Sequence, residues 1–520
     1  MSAGGGVGAG GNGSAGAGGG VEFTADGRLV LRRMPNWYLT LFFSDALERF
    51  GFYGLQAILV LYAAAPRARG GLGLDVADAA SLFGAWIGFM FMLSLVGGWV
   101  GDRLLGNRRA LLAGCLTSVA GYLCLAVPAD WATAAGLPLL GIGGAVYKPN
   151  HQAMINIMFG DRSRAREAGI SLMYVATQVS ALLAPLVTGY LGERVSWHLA
   201  FLVPAVVLLA TSVQLAVTAP QFGGVGDRPA NPLTPAERAA AARRTVYCVA
   251  VPAAVLVAAG LLGVLSATLA IALTGVLSVV VPIAGYALLY RNPELGPDDR
   301  RRLRTFLAVY LGATLFWMII AHAASLLNLF ARDHVDLDVA GFVIPASWLQ
   351  VATPVFILVL APVIALVVPR IGGRDNVGVK FALSLGLVGG GFLIMSLATV
   401  VAAGGGRISP VWLIVVYLTH ACGEVIIAAV TISAAADVLP SGFLGRTLGM
   451  LWLFAGLGGG LGSGVVRLSQ VMPEPLYYLT LGSVAALCGL GFGLCRRMIS
   501  RGLAPSAPHA DPVEQGRAAR

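Results

Sequence analysis

Residues 38–63 read YLTLFFSDALERFGFYGLQAILVLYA. Crossing a bilayer takes roughly 20 apolar residues in a helix, and this run is long enough. It nevertheless carries Asp45, Glu48 and Arg49 near its middle. A charge at that depth costs on the order of several kcal/mol, so such residues pair with one another or line a pathway. Asp45 and Glu48 are three apart and share a helix face, with Arg49 beside both. The stretch predicts a membrane-spanning helix whose charges serve an interior site.

Runs of similar length recur along nearly the whole chain. Its 520 residues are 57% hydrophobic and only 12% charged, with mean hydropathy +0.80. Soluble domains carry about twice that share of charge. Barrel strands are about 10 residues long and alternate in polarity, unlike these runs. The reading is an all-α integral membrane protein of fourteen spans. Six lie near 38–63, 79–100, 109–127, 133–158, 168–190 and 198–218. A pair follows near 246–264 and 267–290, and six more near 305–330, 344–368, 379–402, 411–436, 447–470 and 475–495.

The formal net charge is +10, but the basic residues sit in short loops, which excludes a nucleic-acid face. Arg103, Arg108 and Arg109, then Arg162, Arg164 and Arg166, then Arg300, Arg301 and Arg302 fall in every second loop. The opposite loops hold few, among them Arg67, Arg194 and Arg332. Basic loops stay in the cytoplasm, so both termini are predicted there, in an inner (plasma) membrane. The first 20 residues are Gly-rich without an apolar core, hence a tail and not a signal peptide. The domains follow. Residues 1–35 form a disordered cytoplasmic tail, and 36–220 a six-helix bundle. A cytoplasmic linker and inserted transmembrane hairpin span 221–303. A second six-helix bundle covers 304–497, and a cytoplasmic tail 498–520.

Three further charges fall within spans: Lys148, Glu424 and, near a membrane end, Arg467. A carboxylate beside a cation can load and release a proton as the partner engages or withdraws. Asp45, Glu48, Arg49 and Lys148 are therefore the candidate proton-coupling group, with Glu424 apart from them. His151, His322 and His420 also lie at or in spans, where a neutral, hydrogen-bonded histidine is the commoner case. The six cysteines lie in apolar segments and read as helix-packing residues. No residues have metal-ligand spacing, and no phosphate-binding loop suggests an ATP-driven pump. No nucleophile, base and orienting group stand together as in an enzyme. A scaffold without a transport cycle has no need for charges in the membrane.

Residues 45–54 (DALERFGFYG) resemble the ExxERFxYYG signature of the proton-dependent oligopeptide transporter family (POT/PTR, bacterial type), within the major facilitator superfamily. GGWVGDRLLGNRR (97–109) is similar to the superfamily's loop after its second helix, and GIGGAVYKPN (141–150) to the family's fourth helix. SLLNLFARDHVD (325–336), IPASWLQVATPVFILVLAP (344–362) and GEVIIAAVTISAAADVLP (423–440) resemble the seventh, eighth and tenth core helices. The resemblance implies two six-helix halves rocking around a midplane site. It implies proton-coupled symport of di- and tripeptides, with no cofactor beyond the proton gradient, in a protein that works as a monomer. Proton coupling and peptide-carboxylate recognition then fall on Glu48, Arg49 and Lys148, and the peptide amine on Glu424. Tyr53, Tyr174, Trp317 and Trp452 are candidate pocket aromatics.

The same resemblance exposes departures. Asp45 stands for the signature's first glutamate. Gln56 replaces a basic residue, Ala321 a glutamate, and His322 the following glutamine. Gln178 and Thr353 stand for asparagines, and Phe91 for a tyrosine. Losing both Gln56 and Ala321 partners of a salt bridge leaves no orphan charge. Gln56, Gln178, His322 and Thr353 thus join the candidate substrate-binding set. The changed pocket keeps a second reading open: a proton-coupled importer or exporter of a non-peptide metabolite or drug-like compound.

Overall fold

The computed structural model describes residues 35–160, 163–245, 266–367, 370, 377–440 and 443–504. Helix follows helix: α1 (Asn36–Ala64), α2 (Val76–Val100), α3 (Asn107–Leu125), α4 (Asp130–Phe159), α5 (Ser163–Arg194) and α6 (Trp197–Val217). A short α7 (Pro235–Thr245) lies in the linker, and α8 (Ala267–Tyr290) is the second helix of the expected hairpin. The later helices are α9 (Pro297–Ala321), α10 (Leu326–His334), α11 (Ala352–Val367), α12 (Val377–Ala402), α13 (Val411–Val438), α14 (Leu444–Val465), α15 (Glu474–Leu494) and α16 (Arg496–Leu503).

Ten of the described helical segments are long and apolar enough to cross a membrane. Helix α1, 29 residues long, is outside that set; Asp45, Glu48 and Arg49 are the chemical reason. The seventh predicted span, near 246–264, and both tails lie outside the described residues.

Where the apolar pattern suggested one span over 305–330, the chain breaks. Helix α9 ends at Ala321, a 3₁₀ turn covers His322–Ala324, and α10 starts afresh after Ser325. The next span is also entered through a 3₁₀ turn, Ala346–Val351. Between them a two-stranded hairpin pairs β1 (Asp338–Val339) with β2 (Phe342–Val343). Its turn holds Ala340 at φ 53° and Gly341 at φ 85°, and positive φ suits glycine better than alanine.

Helices α1–α6 pack among themselves, with α3 against α4 and α6 and α1 against α5 and α6. Helices α9–α15 do likewise, with α12 against α13 and α15 and α9 against α14. The halves meet along two seams, α2 on α14 and α5 on α11. The first seam is built from glycine: a Cβ at Gly84 would stand 2.8 Å from the Gly459 carbonyl oxygen. Small residues let membrane helices approach to backbone contact, where dispersion replaces the missing hydrophobic drive. Helix α8 lies on both α2 and α14, and so covers this seam.

Cys115 is buried as a packing residue, whereas Cys488 and Cys495 are exposed on the outer surface near the end of the last span. Those two departures reflect where α15 turns its apolar face: outward, as a lipid-facing helix does.

Candidate functional site

The charged stripe of α1 is buried: Asp45, Glu48 and Arg49 are 3%, 5% and 8% exposed. Arg49 does not bridge both carboxylates. Its Nε and Nη2 donate to Glu48 Oε2 and Oε1 at 2.6 and 2.8 Å. This is a two-pronged pair between chain neighbours, and the planar guanidinium suits it. The same guanidinium lies 4.6 Å over the Phe52 ring, which stacks in turn on Trp86 of α2.

Asp45 turns instead to α4. Lys148 Nζ donates to its Oδ1 at 2.7 Å, and Thr177 of α5 donates to Oδ2 at 3.4 Å. His151 Nδ1 is 3.7 Å from the same carboxylate, and its Nε2 sits 2.9 Å from the Leu41 carbonyl oxygen. Lys148 remains partly exposed, whereas its partner Asp45 is buried. His151 is a site residue for which the sequence offered one sign: it falls three after Lys148, on the same face of α4.

The asparagine of the Lys-Pro-Asn stretch has a different duty. Asn150 donates to the Gly97 and Val146 carbonyls at 2.9 and 2.7 Å and accepts from Asn107 at 3.0 Å. It ties α4 to the end of α2 and the start of α3, and so fixes where Lys148 is presented. Nearby, Arg108 pairs with Asp227, and Arg103 with Glu237 at 2.9 Å, fastening the linker to the first half. Glu237's carboxyl is held below its usual range, first by hydrogen bonds from Thr234 and then by Arg103.

Across the interior, Glu424 on α13 is half-buried and has no ion-pair or hydrogen-bond partner among the described residues. Tyr53 lies within electrostatic reach of Glu424, Arg49, Asp45 and Glu48 alike, and Tyr174 within reach of Glu424 and Tyr53. Tyr53 is thus within reach of both Arg49 and the lone carboxylate, and Tyr174 of the carboxylate alone. Gln56 and Trp317 are half-buried, as is Thr353 in the first turn of α11, while Gln178 is buried on α5. Trp452 of α14 stacks on Phe91 of α2 at 5.7 Å, with 14° between the ring planes. That pair links the two halves at the α2–α14 seam and leaves Trp452 38% exposed.

His322 is placed otherwise than its position in the sequence suggested. It is 1% exposed, turned into the second half by the 3₁₀ turn after α9. Its ring bonds to the Met318 carbonyl at 2.8 Å and the Tyr477 hydroxyl at 2.7 Å. No face of it is presented to the central space. Ala321, before it, is half-buried.

At one end the halves are fastened together. Arg467 bonds to Asp78 at 2.8 Å. Glu193 at the end of α5 accepts from the Ala346 and Ser347 amides at 2.8 and 3.0 Å and from the Ser347 hydroxyl at 2.6 Å. Asn328 of α10 donates to the Ala57 carbonyl at 2.7 Å. This end is the one opposite the basic loops. The Gln56–Ala321 exchange thus leaves closure to other pairs.

Comparison with known proteins covers almost the whole length. A family model described as "POT family" matches residues 109–479. A di-/tripeptide transporter of Lactococcus lactis subsp. cremoris is 27% identical over 471 residues, spanning 88% of this chain and 94% of that protein. The peptide transporter YePEPT of Yersinia enterocolitica is 27% identical over 477 residues, spanning 88% and 92%. Among solved structures, peptide transporter POT in complex with sulfate superposes with a TM-score of 0.86 at 31% identity, over 92% of this chain and 97% of that one. A POT family transporter in complex with 5-aminolevulinic acid gives 0.85 at 25% identity, over 90% and 98%.

Proposed function

This chain belongs to the POT family, a family of multi-pass membrane transporters and not of enzymes, and from that we propose that it carries small peptides by proton-coupled symport. The membrane is the inner (plasma) membrane, with both termini cytoplasmic and the monomer as the working unit. The topology rests on the basic loops falling on one side.

One observation carries the coupling. Both cations of the site are already held by carboxylates, Lys148 by Asp45 and Arg49 by Glu48, while Glu424 on α13 has no partner among the described residues. A peptide amine meets a waiting carboxylate. A peptide carboxylate has to displace one, and protonation of Asp45 or Glu48 frees the cation for it. Proton and substrate thereby depend on each other. Alternating access follows from two halves joined at one end by a few polar bonds and meeting along a glycine seam. The Lactococcus relative, named a di-/tripeptide transporter, and the Yersinia relative, named a peptide transporter, support the cargo.

A non-peptide amine is the second reading, favoured by the relative held with 5-aminolevulinic acid and by the exchanged residues Gln178 and Thr353. The test is reconstitution in liposomes holding a pH-sensitive dye, with an inside-negative potential and a library of di- and tripeptides. Interior acidification on adding particular peptides, lost in Glu48→Gln while peptide exchange persists, is the expected result. Silence across the library, with an established peptide symporter active alongside, turns the reading to the second class of cargo.

A further inference from the structure

At the end of the molecule opposite the Asp78–Arg467 bond, α9 begins in a run of arginines and the short α16 lies against it. Arg301 Nη2 donates to the Arg501 carbonyl oxygen at 3.4 Å, and a Cβ at Gly502 would run into Thr305. Helix α9 also meets α8, where the Tyr286 hydroxyl donates to the Leu303 carbonyl at 3.2 Å. Two of the arginines have local duties: Arg302 is tied to Asp299 at 2.6 Å and Arg300 to the Asn292 carbonyl at 3.2 Å. Arg301, Arg304, Arg497 and Arg501 are different. All four are exposed, and none has a carboxylate within ion-pair distance among the described residues. Asp298, exposed in the first turn of α9, offsets only part of their charge.

Arginines at this end orient the chain in the membrane wherever they stand, so their number alone says nothing more. Their placement does. Arg301, Arg304, Ala308 and Leu311 fall at i, i+3, i+7 and i+10 of α9, which is one stripe of the helix. The stripe is exposed throughout, with Leu311 at 51%. The surface that α9 turns to lipid thus ends in two guanidinium groups. Helix α16 repeats the pattern. Arg497 and Arg501 are four apart and share a face, Ile499 on the opposite face is buried, and Met498 is 67% exposed. It follows at once on α15, whose last residue, Leu494, is exposed as well. Unpaired cations and outward apolar side chains therefore adjoin where acyl chains give way to headgroups. A soluble protein partner would meet the charges but not the apolar stripe below them, whereas a lipid presents both in one molecule.

We propose that Arg301, Arg304, Arg497 and Arg501 form a binding site for the phosphate of an anionic phospholipid, with Leu311 and Met498 against its acyl chains. Guanidinium groups take phosphate oxygens in two-pronged pairs and give up water more readily than an ammonium does. Basic pockets between membrane helices are where anionic headgroups bind. A phosphatidylglycerol headgroup brings an uncompensated negative charge to the four arginines. Phosphatidylcholine brings its own cation, and so gains less. The bound lipid bridges α9 and α16, holding the short helix against the second half. This inference needs the membrane architecture, and neither the proposed cargo nor the proton coupling.

The experiment titrates the full-length protein in detergent with phosphatidylglycerol or phosphatidylcholine and counts bound lipid by native mass spectrometry. Arg304→Gln with Arg501→Gln is set beside Arg109→Gln with Arg228→Gln, which removes the same charge from exposed arginines of the first half. Wild type should bind phosphatidylglycerol about tenfold or more tighter than phosphatidylcholine. An arginine near an anionic surface is worth about fivefold in affinity, so the first pair of substitutions should weaken phosphatidylglycerol about twentyfold. The second pair should change it by about twofold at most. Should the first pair fold poorly, Arg501→Gln alone, weakened about fivefold, decides. Equal losses in the two pairs reduce the arginines to topology signals and overturn the inference. Equal affinity of wild type for the two lipids overturns it as well. Displacement of the lipid by glycerol phosphate at like concentrations would make this a site for soluble phosphate, and overturns the assignment to lipid.

Discussion

Arg467, just past α14, places Nη2 2.8 Å from Oδ1 of Asp78 in the first turn of α2, and so joins the two halves at their fastened end. Thr268, at the start of α8, donates to the other oxygen of the same carboxylate at 2.7 Å. One acidic side chain is thus shared by the first half, the second half and the inserted helix. Opening this end requires Arg467 to leave.

Arg467→Ala should therefore favour the state open at this end. A partly exposed ion pair contributes about 1 kcal/mol at most, so the population shift is about fivefold and not complete. Spin-label distances between the starts of α2 and α15 are the measurement, with longer distances gaining weight in the variant. The exchanged pair, Asp78→Arg with Arg467→Asp, should return the distribution toward wild type. An unchanged distribution in Arg467→Ala would show that Glu193 and Asn328 hold this end unaided.

Lys148→Ala leaves Asp45 buried without its hydrogen-bonded cation, with the imidazole of His151 3.7 Å away and Arg49, already paired to Glu48, farther off. Breaking a buried pair by removing one partner typically costs about 3–5 kcal/mol, whereas removing both is far milder. Lys148→Ala should thus lower the unfolding temperature in detergent by several degrees, and Asp45→Asn with Lys148→Ala should recover much of it. Proton-driven uptake should be absent from both variants. Equal stability of the two would mean that Asp45 is already neutral when its partner leaves.

Glu424 awaits a cation from the cargo. Glu424→Gln should weaken a dipeptide with a free amine about tenfold or more, which corresponds to about 1.4 kcal/mol. An N-acetylated dipeptide, having no ammonium to lose, should be affected much less. Competition against a labelled peptide at fixed pH reads both. Equal weakening of the two would remove Glu424 from amine recognition.

The membrane architecture and the central pair were legible because both are local patterns. Twenty apolar residues declare a span wherever they occur, and charges inside such a run stand out by their cost. Asp45, Glu48, Arg49 and Lys148 were found in this way. Which cation holds which carboxylate was not, because Arg49 reaches Glu48 by its side-chain rotamer and Lys148 by the packing of α4. The Asp78–Arg467 latch joins residues far apart in sequence, each of which reads alone as an ordinary interfacial charge. His322 was assigned to the pocket because it stands where the resembled family has a glutamine. The 3₁₀ turn that begins at His322 rotates it inward toward Tyr477, and no periodicity in the sequence announces such a turn.

The glycine seam admits a sharper test than any charge, because its geometry leaves little room for compensation. A Cβ at Gly84 would meet the Gly459 oxygen at 2.8 Å and the Ser463 nitrogen at 3.0 Å, both backbone atoms. Backbone cannot swing aside as a side-chain end can, so α2 and α14 must part. Overpacking of this kind costs about 1–3 kcal/mol, and here the cost falls on the contact between the halves. Gly464, on the same α14, has nothing within 4 Å of its would-be Cβ, and alanine there gains helix propensity of about 1 kcal/mol over glycine. Gly84→Ala should therefore lower both the unfolding temperature and transport, while Gly464→Ala leaves transport unchanged and stability equal or higher. Because Gly84 is at the seam and not at the cargo site, its variant should lose maximal uptake rate with little change in peptide affinity. A loss of affinity at full rate would place the seam in substrate binding and not in the rocking of the halves.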